Sequence, residues 1–212
     1  MLIQHIGHAE FLIVTESGYR IVTDPYDASC GYPIRKIQAD AVLVSHHHQD
    51  HDAVENVTGD PRVIDTAGIY TLAGDVRVTA VQAYHDDAQG KKRGETLLFL
   101  IETERLRTVH LGDLGDGLTQ TQSDLLKGAD VLMIPVGGFF TIDAKKARDI
   151  ADALAAKIIL PMHYKTEYNA GWPIEGVKAF TDLYAPEEIR LDGNALRVTW
   201  EDLKCHPRVI VL

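Results

Sequence analysis

The segment Ser45-His46-His47-His48-Gln49-Asp50-His51 places the imidazoles of His46, His48 and His51 and the carboxylate of Asp50 within six residues. Neutral imidazole nitrogen and carboxylate oxygen are the donors a borderline divalent cation such as zinc prefers. Further candidate donors follow along the chain: His85, Asp113 in His110-Leu111-Gly112-Asp113, and His163 in Leu160-Pro161-Met162-His163. One tetrahedral ion cannot use them all, and the surplus points to two cations. Two cations about 3.5–4 Å apart hold a shared hydroxide that is nucleophilic at neutral pH. One then polarises a scissile carbonyl or phosphoryl oxygen while the other stabilises the leaving oxygen. A carboxylate between them offsets their mutual repulsion.

These side chains must be carried by strands that end together. The apolar run 41–45 reads as a buried strand, so the histidine cluster sits at its C-terminal end. His85 follows an expected strand over 76–83, Asp113 one over 106–111, His163 one over 157–160, and Asp24 one over 19–23. Ligands at one end of adjacent strands converge, as sites in α/β sheets do. Further strands are expected over 2–6, 10–15, 62–65, 96–102, 131–135, at Ile189 and over 195–199. Residues 96–102 and 106–111 form a hairpin pair. Helices are expected over 118–127, 143–156 and 174–183, with a short one over 52–57. The 143–156 segment carries Ala144, Ala147, Ile150, Ala151, Leu154 and Ala155 on one stripe, with Thr141 or Asp143 to cap it. Strands dominate early and helix–strand units late. Two sheets clothed by helices fit that order better than one doubly wound sheet.

Composition narrows the function classes. A chain of 212 residues is read as one domain, 1–212, large enough for a sizeable core. The 21 basic and 31 acidic residues give a net charge of −10, which argues against a nucleic-acid partner. The basic run Lys91-Lys92-Arg93 reads either as a solvated loop or as an anion-attracting lip near His85. Cys30 and Cys205 have no pair spacing, which excludes a disulfide scaffold and suits a reducing compartment. The opening residues lack a signal-peptide pattern, and no apolar run approaches a membrane span. The expectation is a cytoplasmic protein without a membrane partner, acting on a small molecule that an anionic group would suit, with homo-oligomerisation left open.

His46-x-His48-x-Asp50-His51, then His85, Asp113 and His163 in that order, resembles the metallo-β-lactamase superfamily. Five further stretches narrow the resemblance: Gly7-His8-Ala9, Thr23-Asp24-Pro25-Tyr26, His110-Leu111-Gly112-Asp113, Pro135 through Thr141, and Pro161 through Lys165. They are similar to zinc-dependent hydrolases that include ascorbate-6-phosphate lactonase-like proteins. The resemblance covers nearly the whole chain. Asp rather than Cys stands at 113, unlike many true β-lactamases, and His rather than Glu at 48, unlike the di-iron flavoprotein branch.

The resemblance implies a four-layer αββα sandwich of two mixed sheets, with two divalent ions along one edge. Zinc is the first expectation, with manganese or iron accepted by the same donors. It implies that His46, His48 and His85 hold one ion, that Asp50, His51 and His163 hold the other, and that Asp113 bridges them. Asp50 and Asp113 are then the catalytic carboxylates of a hydrolase attacking an ester, lactone or phosphodiester. Alternatives are an iron oxidoreductase on the same scaffold, a non-catalytic metal-binding protein and, more weakly, a tRNA-processing nuclease.

The remaining polar residues carry lesser expectations. Asp24 is read as bracing the metal loop rather than ligating. His47 points away from its neighbours in an extended segment and takes a supporting or structural role. His110 packs or hydrogen-bonds on its strand. His8, after the turn at Gly7, and Lys165, two residues past a ligand, are the candidates for substrate contact; each is also readable as a structural imidazole or a solvated lysine. Phe139 and Phe140 line a pocket wall or simply pack in the core, and Trp172 sits in a Gly-Trp-Pro turn that could reach the rim but is assigned no role.

Overall fold

The computed structural model describes residues 1–201 and 203–212. The strands of its first half are β1 (Leu2–Gly7), β2 (Glu10–Val14), β3 (Arg20–Thr23), β4 (Ile37–Gln38), β5 (Ala41–Leu43), β6 (Val57–Thr58), β7 (Arg62–Ile64) and β8 (Gly68–Thr71). Then come β9 (Arg77–Tyr84), β10 (Glu95–Thr103), β11 (Leu106–His110), helix α1 (Gln120–Leu126), β12 (Val131–Pro135), helix α2 (Ala144–Ala153) and β13 (Ile158–Met162). Helix α3 (Lys178–Thr181), β14 (Ile189–Leu191), β15 (Ala195–Arg197) and β16 (Val209–Val211) close the described chain.

Two mixed sheets form, in the orders β15-β1-β2-β3-β5-β7 and β14-β16-β13-β12-β11-β10-β9-β8. The expected α/β sandwich is therefore the architecture. Its central core lies between the sheets, where Ile3, Phe11 and Leu43 meet Leu97, Phe99 and Met133. A second core joins the outer face of the eight-stranded sheet to the helices, with Leu132 and Ile134 against Ala147, Ala151 and Phe180. β12 and β13 are buried at every position, as parallel strands covered on both faces should be. Among the described residues no α-helix covers the outer face of the six-stranded sheet. Val22 and Val42 are instead sealed by Ile37, Ala39 and Val57 around the small β4–β6 pair.

Topology decides where strands end. β9 and β11 are each antiparallel to β10, while β11, β12 and β13 run parallel. The C-terminal ends of β9, β11 and β13 therefore face the same way, and they lead to His85, Asp113 and His163. In the other sheet β3 and β5 are parallel and β2 is antiparallel to β3. That places Asp24, His46 and the β1–β2 turn carrying His8 at one end. Leu97 N–H donates to Ser45 O at 2.8 Å and His163 N–H to His8 O at 3.0 Å, which pins the two sheet edges together.

Most local expectations survive. Asp143, not Thr141, caps α2 by accepting from Lys146 N at 2.8 Å. Thr119 and Gln122 form a capping box on α1. The 174–183 helix shrinks to α3 because its first turn is used elsewhere: Glu175 N–H donates to Gly137 O and Glu175 O accepts from Lys165 N–H, both at 2.8 Å. The 52–57 helix is a single 3-10 turn, Val54–Asn56. Among the described residues no helix is long and apolar enough to cross a membrane.

Candidate metal centre

Asp113 lies at the centre of the cluster. The Nε2 atoms of His163, His51 and His85 stand 3.2, 3.3 and 3.3 Å from its carboxylate, and that of His46 stands 4.0 Å away. The carboxylate is buried. Burial opposes its charge, but His163 and His51 outweigh that and hold its pKa well below the usual range. Gly112 allows this placement. It adopts φ +47°, and a β-carbon there would lie 2.6 Å from Thr96 Oγ1 and 2.7 Å from Leu97 O.

Donor atoms fall into groups within 4.8 Å of one another. One group is His46, His48 and His85; another is His8, Asp50, His51 and His163; a third joins His46, His51 and Asp113. All seven residues expected as ligands are brought together. His8 joins them. Its Nε2 is 3.2 Å from Asp50 Oδ2, and its ring centroid is 4.1 Å from that of His163. Sequence reasoning placed His8 at the substrate. The signal for a second role was its position after Gly7, since both His8 and His163 take left-handed backbone, φ +53° and +52°. Such conformations in non-glycine residues concentrate at functional sites.

The residues behind the cluster fix its tautomers. Asp24 is fully buried and accepts from Ser45 N at 2.7 Å, Ser45 Oγ at 2.8 Å and His51 Nδ1 at 3.0 Å. With its proton on Nδ1, His51 presents the Nε2 lone pair inward. Ser45 Oγ donates to Asp24 and so accepts from His46 Nδ1 at 2.9 Å, which turns the His46 Nε2 lone pair inward as well. Asp24 therefore braces the loop, as expected. His110 is also structural. It accepts from Gly112 N–H on Nδ1 and donates from Nε2 to Ala9 O.

His47 turns away from the ligands: its ring is exposed and faces Asp52 at 3.3 Å and Asp65 at 3.9 Å, while its neighbours take the inward positions. Lys165 is exposed and, among the described residues, makes no hydrogen bond or ion pair with the cluster through its ammonium. Its backbone is instead bridged to Gly176. Trp172 does reach the rim, with its ring 5.3 Å from that of His8 and 5.8 Å from that of Phe140. Phe140 is half-buried and Phe139 is 63% exposed, so the pair forms a wall rather than core.

The cluster's own electrostatics suit a cation pair. Burial lowers the His46 pKa to about 3 and, with His163 adding to it, that of His8 to about 4, so both rings are neutral donors at pH 7. His51 is the exception. Burial opposes its protonation, yet Asp113, Asp24 and Asp50 raise its pKa well above the ordinary value. His46 Nε2, His51 Nε2 and Asp113 Oδ1 are buried without a hydrogen-bond partner. Such orphaned donors and acceptors are costly, and divalent cations would satisfy all three.

A buried acid lies behind Asp24. Burial pushes the Glu10 carboxyl up to about 8; the Tyr26 N–H pulls it down and the charge of Asp24 adds to the rise. Unfolded, the group titrates near 4.5. The folded protein thus keeps a proton that the unfolded chain gives up. That contribution to stability is fully present below about pH 4.5 and is lost as pH rises through 8. Glu10→Gln should therefore raise the melting temperature of the metal-free protein at pH 9 by roughly 5 °C, with little change at pH 4.5. Parallel pH profiles for the two proteins would refute the assignment.

The chain is similar to known proteins over most of its length. Residues 2–163 match the family model described as the beta-lactamase superfamily domain. A "UPF0173 metal-dependent hydrolase" of Methanosphaera stadtmanae is 30% identical, covering 78% of this chain and 85% of that protein. A UPF0173 protein of Pyrococcus furiosus is 33% identical, covering 80% and 86%. The crystal structure of a Thermotoga maritima protein, presented as a proposed Zn-dependent hydrolase of the metallo-beta-lactamase superfamily, superposes with a TM-score of 0.83 at 39% identity, covering 99% of this chain and 97% of that one. With the ligand order, the sandwich and these matches in agreement, the chain belongs to the metallo-β-lactamase superfamily.

Proposed function

We propose that the protein is a binuclear metal-dependent hydrolase of a small molecule bearing an ester, lactone or phosphodiester bond. The observation that carries this reading is the buried Asp113 carboxylate faced by four imidazoles, with orphaned donor atoms on His46 and His51. His46, His48 and His85 would hold one divalent ion. Asp50, His51 and His163 would hold the other, with His8 beside it, and Asp113 would stand between them. When bound, the ions supply Lewis acidity and make water acidic enough to act as a nucleophile near neutral pH. Zinc suits this nitrogen and oxygen donor set, and manganese or iron would also be accepted.

The chain supplies the rest. Asp24 keeps the His51 proton on Nδ1, and Ser45 keeps that of His46 on Nδ1. Asp113 provides the negative charge that offsets two cations. His48 is exposed and Asp50 partly so, which leaves one side of the cluster open to substrate. The names of the Methanosphaera stadtmanae relative and of the superposed structure support hydrolysis as the reaction class.

The test is a panel of lactone, phosphodiester and thioester substrates run on purified, chelated and re-metallated protein. Turnover of at least one member should vanish on chelation and return with zinc or manganese. Equal rates before and after chelation would overturn the reading.

A further inference from the structure

Beside the cluster, on the His85 and Asp113 side, lies a 410 Å³ cavity whose lining includes Asp86, Lys92, Arg93, Phe139, Phe140 and Lys146. Most of its charged groups are already engaged by a neighbour. Lys92 pairs with Asp87 at 2.6 Å and Lys146 with Asp116 at 2.5 Å. Asp143 is taken up by its cap on α2. The Asp86 carboxylate accepts from the backbone N–H groups of Ala88, Gly90, Lys92 and Arg93 at 2.7–3.0 Å. Among the described residues, only the Arg93 guanidinium in this cavity lacks a carboxylate partner.

Arg93 is also held in place. Asp86 ties the backbone of its loop into a fixed turn directly after His85. Its Cζ lies 5.5 Å from the ring centre of Phe140 and 6.0 Å from that of Phe139, a range in which a cation is attracted to an aromatic face. Phe140 meets Trp172, and Trp172 meets His8 and, at 6.3 Å, His163. One aromatic wall therefore runs from the ligand cluster to a guanidinium that has no carboxylate partner among the described residues. Guanidinium is planar, always charged and matched to bidentate oxyanions.

We propose that Arg93 binds an anionic group of the substrate, a carboxylate or a phosphate, at the far end of the Trp172–Phe140 wall from the bond that is cleaved. This inference rests on the hydrolase reading of the neighbouring cluster and names its substrate class. It also locates the anion-attracting function of the basic loop in one residue. Lys91 lies outside the cavity and Lys92 is already paired.

The test uses metal-loaded protein and benzenesulfonate, an aromatic oxyanion that is a poor metal ligand, with binding read by calorimetry. Wild-type protein should bind it. Arg93→Ala should weaken binding tenfold or more, Arg93→Lys should fall between, and Lys91→Ala, which removes the same charge from the same loop, should stay near wild type. No binding by wild type, no change in Arg93→Ala, or an equal loss in Lys91→Ala would each overturn the proposal. A kinetic arm compares the p-nitrophenyl esters of acetate and succinate. The ratio of kcat/KM for the anionic ester to that for the neutral one should drop at least tenfold in Arg93→Ala, mainly through KM; an unchanged ratio would count against it. Phenyl phosphate and benzoate in the calorimetric arm tell phosphate from carboxylate by which of them loses more on Arg93→Ala. Should neither ester be turned over by wild type, the hydrolase reading is still decided by the substrate panel, and the calorimetric arm decides the role of Arg93.

Discussion

Asp113→Ala is expected to reduce turnover by on the order of 10³-fold or more, roughly 4 kcal/mol in the barrier, and to lower the metal content. The side chain is buried and contacted by three imidazoles within 3.3 Å. With two cations bound as proposed, its removal would leave those rings around them with no intervening negative charge. The variant should remain folded, since Asp113 makes its side-chain contacts within the cluster and the β11 ladder does not depend on it. Kinetics with the best substrate of the panel and metal analysis of the same sample test this together. Wild-type turnover in the variant would remove Asp113 from the chemistry.

Asp24→Asn should have the second largest effect, through residues that never touch substrate. The carboxylate accepts three hydrogen bonds. An amide can keep the bond from Ser45 N, but its NH₂ then faces other donors. His51 can answer only by moving its proton to Nε2, which is the wrong tautomer for a ligand. Loss of such an outer partner typically costs 10–100-fold in metal affinity. Breaking a buried charged pair costs about 3–5 kcal/mol of stability. Equilibrium dialysis against zinc and thermal unfolding should register both losses. A variant that takes up zinc as tightly as wild type would show that Asp24 is dispensable to the site.

The candidate site was largely legible in the sequence because metal ligands are few in type and sit where strands end. His46 through His51, His85, Asp113 and His163 could be found from residue type and from the apolar runs preceding them. Alternation along an extended segment already sets His47 apart from His48, and the loop sends one to Asp52 and the other into the cluster. What the linear order hides is which distant groups meet. His8 was found but given a different partner, because its proximity to Asp50 depends on the two sheets meeting edge to edge. Arg93 was visible only as part of a basic run. Its distinction lies in what its neighbours are paired with. The larger outlines came through for similar reasons. Long apolar strands and the α2 stripe were readable, whereas β4, β6, β8 and β16 are short segments whose pairing depends on distant residues.

The most direct test is a count of bound metal. Protein purified at neutral pH, loaded with zinc or manganese and freed of loosely held ions, should carry close to two ions per chain by elemental analysis. A folded wild-type protein that retains none would contradict the account at its foundation.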